Sequence, residues 1–240
     1  MIILFGASGV LGRSVTKALN SKGLDFAVTT NSRNKETKEY LKNKYIKPKF
    51  IQKCDVSKPE DVKKVFKAAQ FHGKPITGVI NNFAITYQKS NRLTEKQKKK
   101  IFDVNYFGVV NILENLLSYK KQREQISVVN VLSNSLKTLN ASNEHYISSK
   151  AAVEVLSKYY ASHFGSKIRV NCVAPGLMLS NLTKKRFNKN KKKIIEKTPL
   201  KRLIHPDEVS ETIINILTQL NGMNGEIIFI DGGRTIKLHD

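Results

Sequence analysis

The chain is short of acid, of cysteine and of long apolar runs, and it has no tryptophan. Asp and Glu total 19 among 240 residues against 42 Lys and Arg, a formal net charge of +23 at pH 7. The two cysteines, Cys54 and Cys172, are too few for a disulfide scaffold. Both fall in apolar segments, as buried free thiols of a reducing compartment do. The five histidines show no metal-ligand spacing, so no metal is expected. No apolar run nears the ~18 residues of a membrane span. The opening MIILFGASGVLG lacks a basic lead-in and is broken by glycine, so it does not read as a secretory signal. The expected location is the cytoplasm, without a membrane partner.

The excess of positive charge draws anions: nucleic acid, anionic lipid, acidic protein or phosphorylated small molecules. No motif that reads DNA or RNA is present, so most lysines are expected to be solvated and nucleic acid is not the expected partner. Hydrophobic residues at 40% and charged residues at 25% are ordinary for a globular protein.

Strand and helix signals alternate along the chain. Short apolar runs at 2–5, 26–30, 49–53, 77–81, 126–132, 168–174 and 226–230 predict seven strands. A helix is expected from Val10 to Lys22, and capping boxes at Ser57/Glu60 and Thr94/Gln97 open two more. Pro206 and Asp207 open the last. This pattern predicts an α/β fold, a Rossmann-type doubly wound seven-stranded parallel sheet with helices on both faces. No linker, repeat or composition break divides residues 1–240, which read as one domain.

Gly6, Gly9 and Gly12 fall where the first strand turns into the first helix. Glycine there lets backbone approach a pyrophosphate at the helix N-terminus, so the segment predicts dinucleotide binding. At the end of the second strand, where an acid would hold the ribose of NAD, the sequence is VTTNSRN. No carboxylate occupies 29–32, and Arg33 suits a 2′-phosphate, so NADP is expected over NAD.

Tyr146 and Lys150 stand four residues apart and share a helix face, a phenol beside an ammonium. Tyr40/Lys44 and Tyr45/Lys49 repeat the spacing, so spacing alone decides nothing. Context separates them: Tyr146 follows the fifth strand and opens the next helix, whereas the other two lysines read as solvated helix charge. An ammonium beside Tyr146 is expected to lower the phenol's pKa from its usual ~10.

With these features, the chain resembles the short-chain dehydrogenases/reductases along nearly its whole length. NNFA (81–84), CDV (54–56), DVNYFG (103–108), VVNVLS (128–133), VNCVAPGLMLS (170–180) and IFIDGG (228–233) resemble that family's motifs in order. Among members, TPLKRLIHPDEVSETI (198–213) looks most like bacterial 3-oxoacyl-(acyl-carrier-protein) reductases. The resemblance implies Ser133, Tyr146, Lys150 and Asn105 as the catalytic set. It implies cofactor contacts from Gly6, Ser8, Gly9, Val10, Leu11 and Gly12, then Arg33, Asp55, Val56, Asn82 and Ala84. Tyr146, Lys150, Pro175 and Met178 complete that surface. Departures are Val10 at the usual middle glycine, Phe83 and Ala84 in the NNAG segment, and the region 134–145.

The implied activity is reduction of a carbonyl to an alcohol, or the reverse, with a 3-oxoacyl thioester as leading substrate. A phosphorylated or nucleotide-linked sugar or polyol is the alternative. A non-catalytic nucleotide- or nucleic-acid-binding protein on the same fold is the second alternative, raised by the charge. The substrate is expected to be a small-molecule or carrier-linked anion. The resemblance also implies a dimer or tetramer packed through helices 94–119 and 143–165. Residues 181–202 hold ten Lys or Arg and one acid, and they are expected to fold over the substrate, as a charged lid or a solvated surface.

Overall fold

The computed structural model describes residues 1–87, 92–119, 125–178 and 184–237, with Asn188 the one described side chain between 184 and 190. Strands β1 (Ile2–Phe5), β2 (Phe26–Thr30), β3 (Ile51–Lys53), β4 (Gly78–Asn81), β5 (Ile126–Val131), β6 (Ile168–Pro175) and β7 (Ile227–Ile230) form one sheet. Its order is β3-β2-β1-β4-β5-β6-β7, with every pairing parallel. The order reverses between β1 and β4, which opens a crevice at the carboxyl ends of the strands.

Strand side chains alternate between two cores. Ile3, Phe5, Val79, Val128 and Val170 face one layer; Ile2, Leu4, Ile80, Val129 and Val173 face the other. The first layer is closed by α3 (Pro59–Phe71), α5 (Gly108–Leu117) and α7 (Glu144–Phe164), through Phe66, Ile112, Leu116 and Val153. The second is closed by α1 (Val10–Ser21), α2 (Asn34–Asn43) and α9 (Pro206–Thr218), through Val15, Leu19, Leu41 and Ile213. Each fully buried aliphatic side chain contributes ~1.5–3 kcal/mol. Both faces are covered, so the central strands are largely apolar rather than alternating, with Asn81, Asn130 and Asn171 among their buried polar residues.

Helix starts divide the correct expectations from the incorrect ones. Thr94 caps α4 (Glu95–Phe102) with the expected reciprocal bonds: Gln97 N–H donates to Thr94 Oγ1 at 3.3 Å, and Thr94 N–H to Gln97 Oε1 at 3.0 Å. The Ser57/Glu60 box does not form. Ser57 is captured instead by Asp55, whose Oδ1 accepts from its hydroxyl at 2.6 Å and its N–H at 3.1 Å. The helix then starts two residues on, with Lys58 at the cap and Pro59 in the first turn. Tyr45 and Lys49 share no helix either: Tyr45 lies beyond α2 at φ 54°, and Lys49 pairs with Asp25 at 2.8 Å.

Between α4 and α5 the chain makes one π-helical turn, Asp103–Phe107. The extra residue in that turn rotates Asn105 into the protein, where it is buried. No described helix is long and apolar enough to cross a membrane.

Candidate active site

A cavity of about 720 Å³ opens over the carboxyl edge of the sheet. Its floor begins at the glycine turn. Gly6 has φ 90°, and a Cβ there would stand 2.3 Å from the Asn82 carbonyl oxygen, so the position admits glycine alone. Asn82 returns the contact, donating Nδ2–H to the Gly6 carbonyl at 2.9 Å. Gly12 lies beneath the turn, where a Cβ would meet the Gly6 carbonyl at 2.4 Å. Gly9 differs, because nothing lies within 4 Å of where its Cβ would be. It caps α1 without a side-chain hydrogen bond, and no acid follows in the first turn. The helix therefore presents N–H donors and partial positive charge to the open cavity.

β5 and α7 carry the expected catalytic groups. Ser133, just beyond β5, accepts hydrogen bonds from Ser135 Oγ at 2.9 Å and Ser135 N–H at 3.2 Å. Those contacts leave its own hydroxyl hydrogen for Tyr146, with which it shares a hydrogen bond. Tyr146 enters on the first turn of α7, where its N–H donates to the cap residue Asn143 at 2.9 Å. One turn later Lys150 is buried and donates Nζ–H to the Val131 carbonyl at 2.7 Å.

The electrostatics depart from expectation. Burial raises the Tyr146 phenol above its usual pKa, with the Ser133 hydrogen bond opposing. The net direction is upward, so Lys150 one turn away does not bring the phenol below its usual pKa. Burial instead acts on Lys150 itself, pulling its ammonium down to about 8.

Asn105 does not line the cavity. Its Oδ1 accepts from Ile85 N–H at 2.8 Å, and its Nδ2 donates to the Ile85 carbonyl and to Ser149 Oγ, both at 3.0 Å. It holds the strand-like segment after β4 against α7. Gly12 is likewise behind the wall. The other expected residues, Ser8, Val10, Leu11, Arg33, Asp55, Val56, Ala84, Pro175 and Met178, line the cavity together.

This arrangement has a counterpart among known proteins. Residues 6–235 match the family model described as Enoyl-(Acyl carrier protein) reductase, a branch of the short-chain dehydrogenases/reductases. The chain belongs to the short-chain dehydrogenase/reductase family. As a member, it is an oxidoreductase of CH–OH and C=O groups that uses a nicotinamide nucleotide. It is 27% identical over 239 residues to a 3-oxoacyl-(acyl-carrier-protein) reductase of Staphylococcus epidermidis, covering 96% of this chain and 97% of that protein. A short-chain dehydrogenase/reductase from Brucella melitensis, titled glucose/ribitol dehydrogenase, superposes with a TM-score of 0.89 at 23% identity, covering 97% and 95%. A Burkholderia cenocepacia short-chain dehydrogenase in complex with NADP superposes at 0.86 and 19%, covering 97% and 96%.

The family's nucleotide fits what the chain offers. The open N-terminus of α1 and the bare Gly9 suit a pyrophosphate. At the β2 end Arg33 is exposed at the N-cap of α2 and lines the cavity. Sequence reasoning missed Arg13, one residue past the last glycine of the turn. Arg13 also lines the cavity, with its guanidinium 4.8 Å from the centre of the Tyr40 ring and its Nε buried without a hydrogen-bond partner. Spacing could have found it, because the fourth residue of a helix returns to the face of its first turn. Lys100 and Arg234 were missed as well and reach the cavity from α4 and from beyond β7. No local pattern marks either one.

Proposed function

We propose that the protein is an NADPH-dependent reductase of 3-oxoacyl thioesters, the reverse oxidation being open to the same site. The observation that carries this reading is the convergence of Ser133, Tyr146 and Lys150 on one cavity that also contains the open glycine turn. The similarity to 3-oxoacyl-(acyl-carrier-protein) reductases supports the substrate class.

When bound, the reduced nicotinamide supplies the hydride that the carbonyl carbon accepts. Ser133 donates its hydroxyl hydrogen to the carbonyl oxygen, where negative charge develops. Tyr146 Oη gives its proton to that oxygen, completing the alcohol and leaving a phenolate. Burial favours the protonated phenol, so Tyr146 begins the reaction able to donate. Lys150, fixed by the Val131 carbonyl, presents a positive charge that stabilises the phenolate left behind. Asn105 acts by positioning, through Ile85 and Ser149.

Arg33 and Arg13 form the cradle for a 2′-phosphate, which favours NADP over NAD. No carboxylate stands at 29–32 to repel it. Gly6, Ser8, Gly9, Val10 and Leu11 hold the pyrophosphate, with Gly12 shaping the turn from beneath. Asp55, Val56, Asn82 and Ala84 border the adenosine, and Pro175 and Met178 the nicotinamide.

Residues 1–240 act as one unit in this reading, and the protomer forms a homo-oligomer. Phe107, Val155 and Tyr159, exposed on the helical segments 94–119 and 143–165, support that assembly. Two free, buried cysteines accord with the cytoplasm. The test is loss of reduced-nicotinamide absorbance with purified protein, NADPH and a panel of acyl thioesters, β-ketoesters and keto-sugar phosphates. Reduction of the thioesters above the others is expected. Turnover of the sugar phosphates alone would replace the substrate, and turnover of none would remove the reading.

A further inference from the structure

The turn after β5 sets two serines, Ser133 and Ser135, on the wall of the cavity. Ser135 is buried and opens the single helical turn α6 (Ser135–Thr138). That turn is fixed from several sides. Asn134 N–H donates to the Pro175 carbonyl at 3.0 Å, and Asn134 Nδ2–H to buried Asp231 at 3.4 Å. Asp231 is held in turn by the N–H groups of Gly233 at 3.1 Å and Thr235 at 2.9 Å. Gly232, next to it, packs on Thr198 beyond α8 (Lys184–Glu196). The α6 turn closes through Leu139 N–H, which donates to the Ser135 carbonyl at 3.0 Å.

We infer that Ser135 is a positioning residue for the reaction: it holds the one hydroxyl hydrogen of Ser133 on the oxygen that Tyr146 protonates. A serine hydroxyl has two lone pairs and one hydrogen. Ser135 occupies both lone pairs of Ser133 Oγ, donating its own hydroxyl at 2.9 Å and its N–H at 3.2 Å. The Ser133 hydrogen is left the remaining direction, toward Tyr146, with which Ser133 shares a hydrogen bond. A hydroxyl that accepts is polarised and donates more strongly. A donor aimed before charge develops needs no reorganisation when it does. Removing the Ser135 hydroxyl while keeping its N–H frees one lone pair, and the Ser133 hydrogen can then rotate away from the reacting oxygen.

The inference deepens the carbonyl-reductase reading and rests on it for the place of the carbonyl oxygen. Its test is a cycle of wild type, Ser135→Ala, Ser133→Ala and the double variant. Each is assayed with NADPH and the member of the substrate panel that wild type reduces fastest. Ser135→Ala should lower kcat roughly two- to tenfold, the worth of one hydrogen bond, with KM and NADPH affinity little changed. In the Ser133→Ala background the same substitution should cost nothing further, because Ser135 acts only through Ser133. Equal losses in both backgrounds would make Ser135 a structural residue of α6. That result, or no loss in the presence of Ser133, would overturn the inference.

Alkaline titration of the same four proteins by NMR, with tyrosine labelled at the ring carbon that bears the hydroxyl, needs no turnover. The Tyr146 signal is the one absent from Tyr146→Phe. Donation by Ser133 opposes the rise in the Tyr146 pKa, so Ser135→Ala should move the midpoint upward where Ser133 is present and leave it unmoved in Ser133→Ala. A shift confined to the Ser133 background upholds the positioning role even where no carbonyl of the panel is reduced. An unchanged midpoint in that background overturns it even where reduction succeeds.

Discussion

Gly108 lies directly beneath Phe83. A Cβ at Gly108 would stand 3.0 Å from Phe83 Cε2 and 2.7 Å from Val56 Cγ2. Phe83 is the bulky residue in NNFA, and the first turn of α5 makes room for it at the rim of the cavity. Gly108→Ala should therefore destabilise the protein, although Ala in a helix is otherwise favoured over Gly by ~1 kcal/mol. Phe83→Ala should restore part of that loss in the double variant, with a coupling of about 0.5–3 kcal/mol in urea unfolding. Additive losses would show that Val56 alone forbids the side chain.

Tyr146→Phe keeps the ring and removes the proton donor. The expected fall in kcat is at least ~10²-fold, with NADPH affinity by fluorescence titration nearly unchanged. Near-normal turnover would end the role assigned to Tyr146.

Burial holds the folded pKa of Lys150 at about 8, against 10.5 for a lysine in water. Holding the buried ammonium costs stability below pH 8, and the cost is relieved as pH rises from about 8 through 10.5. At ~1.4 kcal/mol per unit of displacement, the relief is on the order of 3 kcal/mol. Stability of wild type relative to Lys150→Met should rise across that window. Competitive acylation of Lys150 should show a midpoint near pH 8. A midpoint near that of free lysine would place the amine in water.

Arg33, at the N-cap of α2, and Arg13, in α1, should act on one phosphate. Arg33→Gln and Arg13→Gln should each weaken NADPH binding roughly tenfold, and NADH binding should hold. If Arg13→Gln weakens both nucleotides alike, its work is stacking on Tyr40 rather than contact with a phosphate.

Much of this molecule was legible before any fold was known, because its signals are local. The strand runs, the glycine turn, the missing acid before Arg33 and the Thr94/Gln97 cap each lie within a few residues, where backbone sterics and hydrogen bonding act. Serine, tyrosine and lysine in order were readable too, since i,i+4 geometry places Tyr146 and Lys150 on one face. The local signal failed where a neighbour competed. Ser57 caps nothing because Asp55 takes its hydroxyl, and Tyr45 and Lys49 share a spacing but no helix.

Only the tertiary structure decided the rest. Sheet order β3-β2-β1-β4-β5-β6-β7 sets Glu36 and Asp55 at one edge and Arg234 at the other, and no spacing in sequence contains that separation. The π-helical turn between α4 and α5 aims Asn105 at Ile85 rather than into the cavity. Burial reverses the expected electrostatics, raising the Tyr146 pKa and lowering that of Lys150. Composition gives the number of charges, but the field a substrate meets depends on which charges lose their water. The packed fold alone makes that selection.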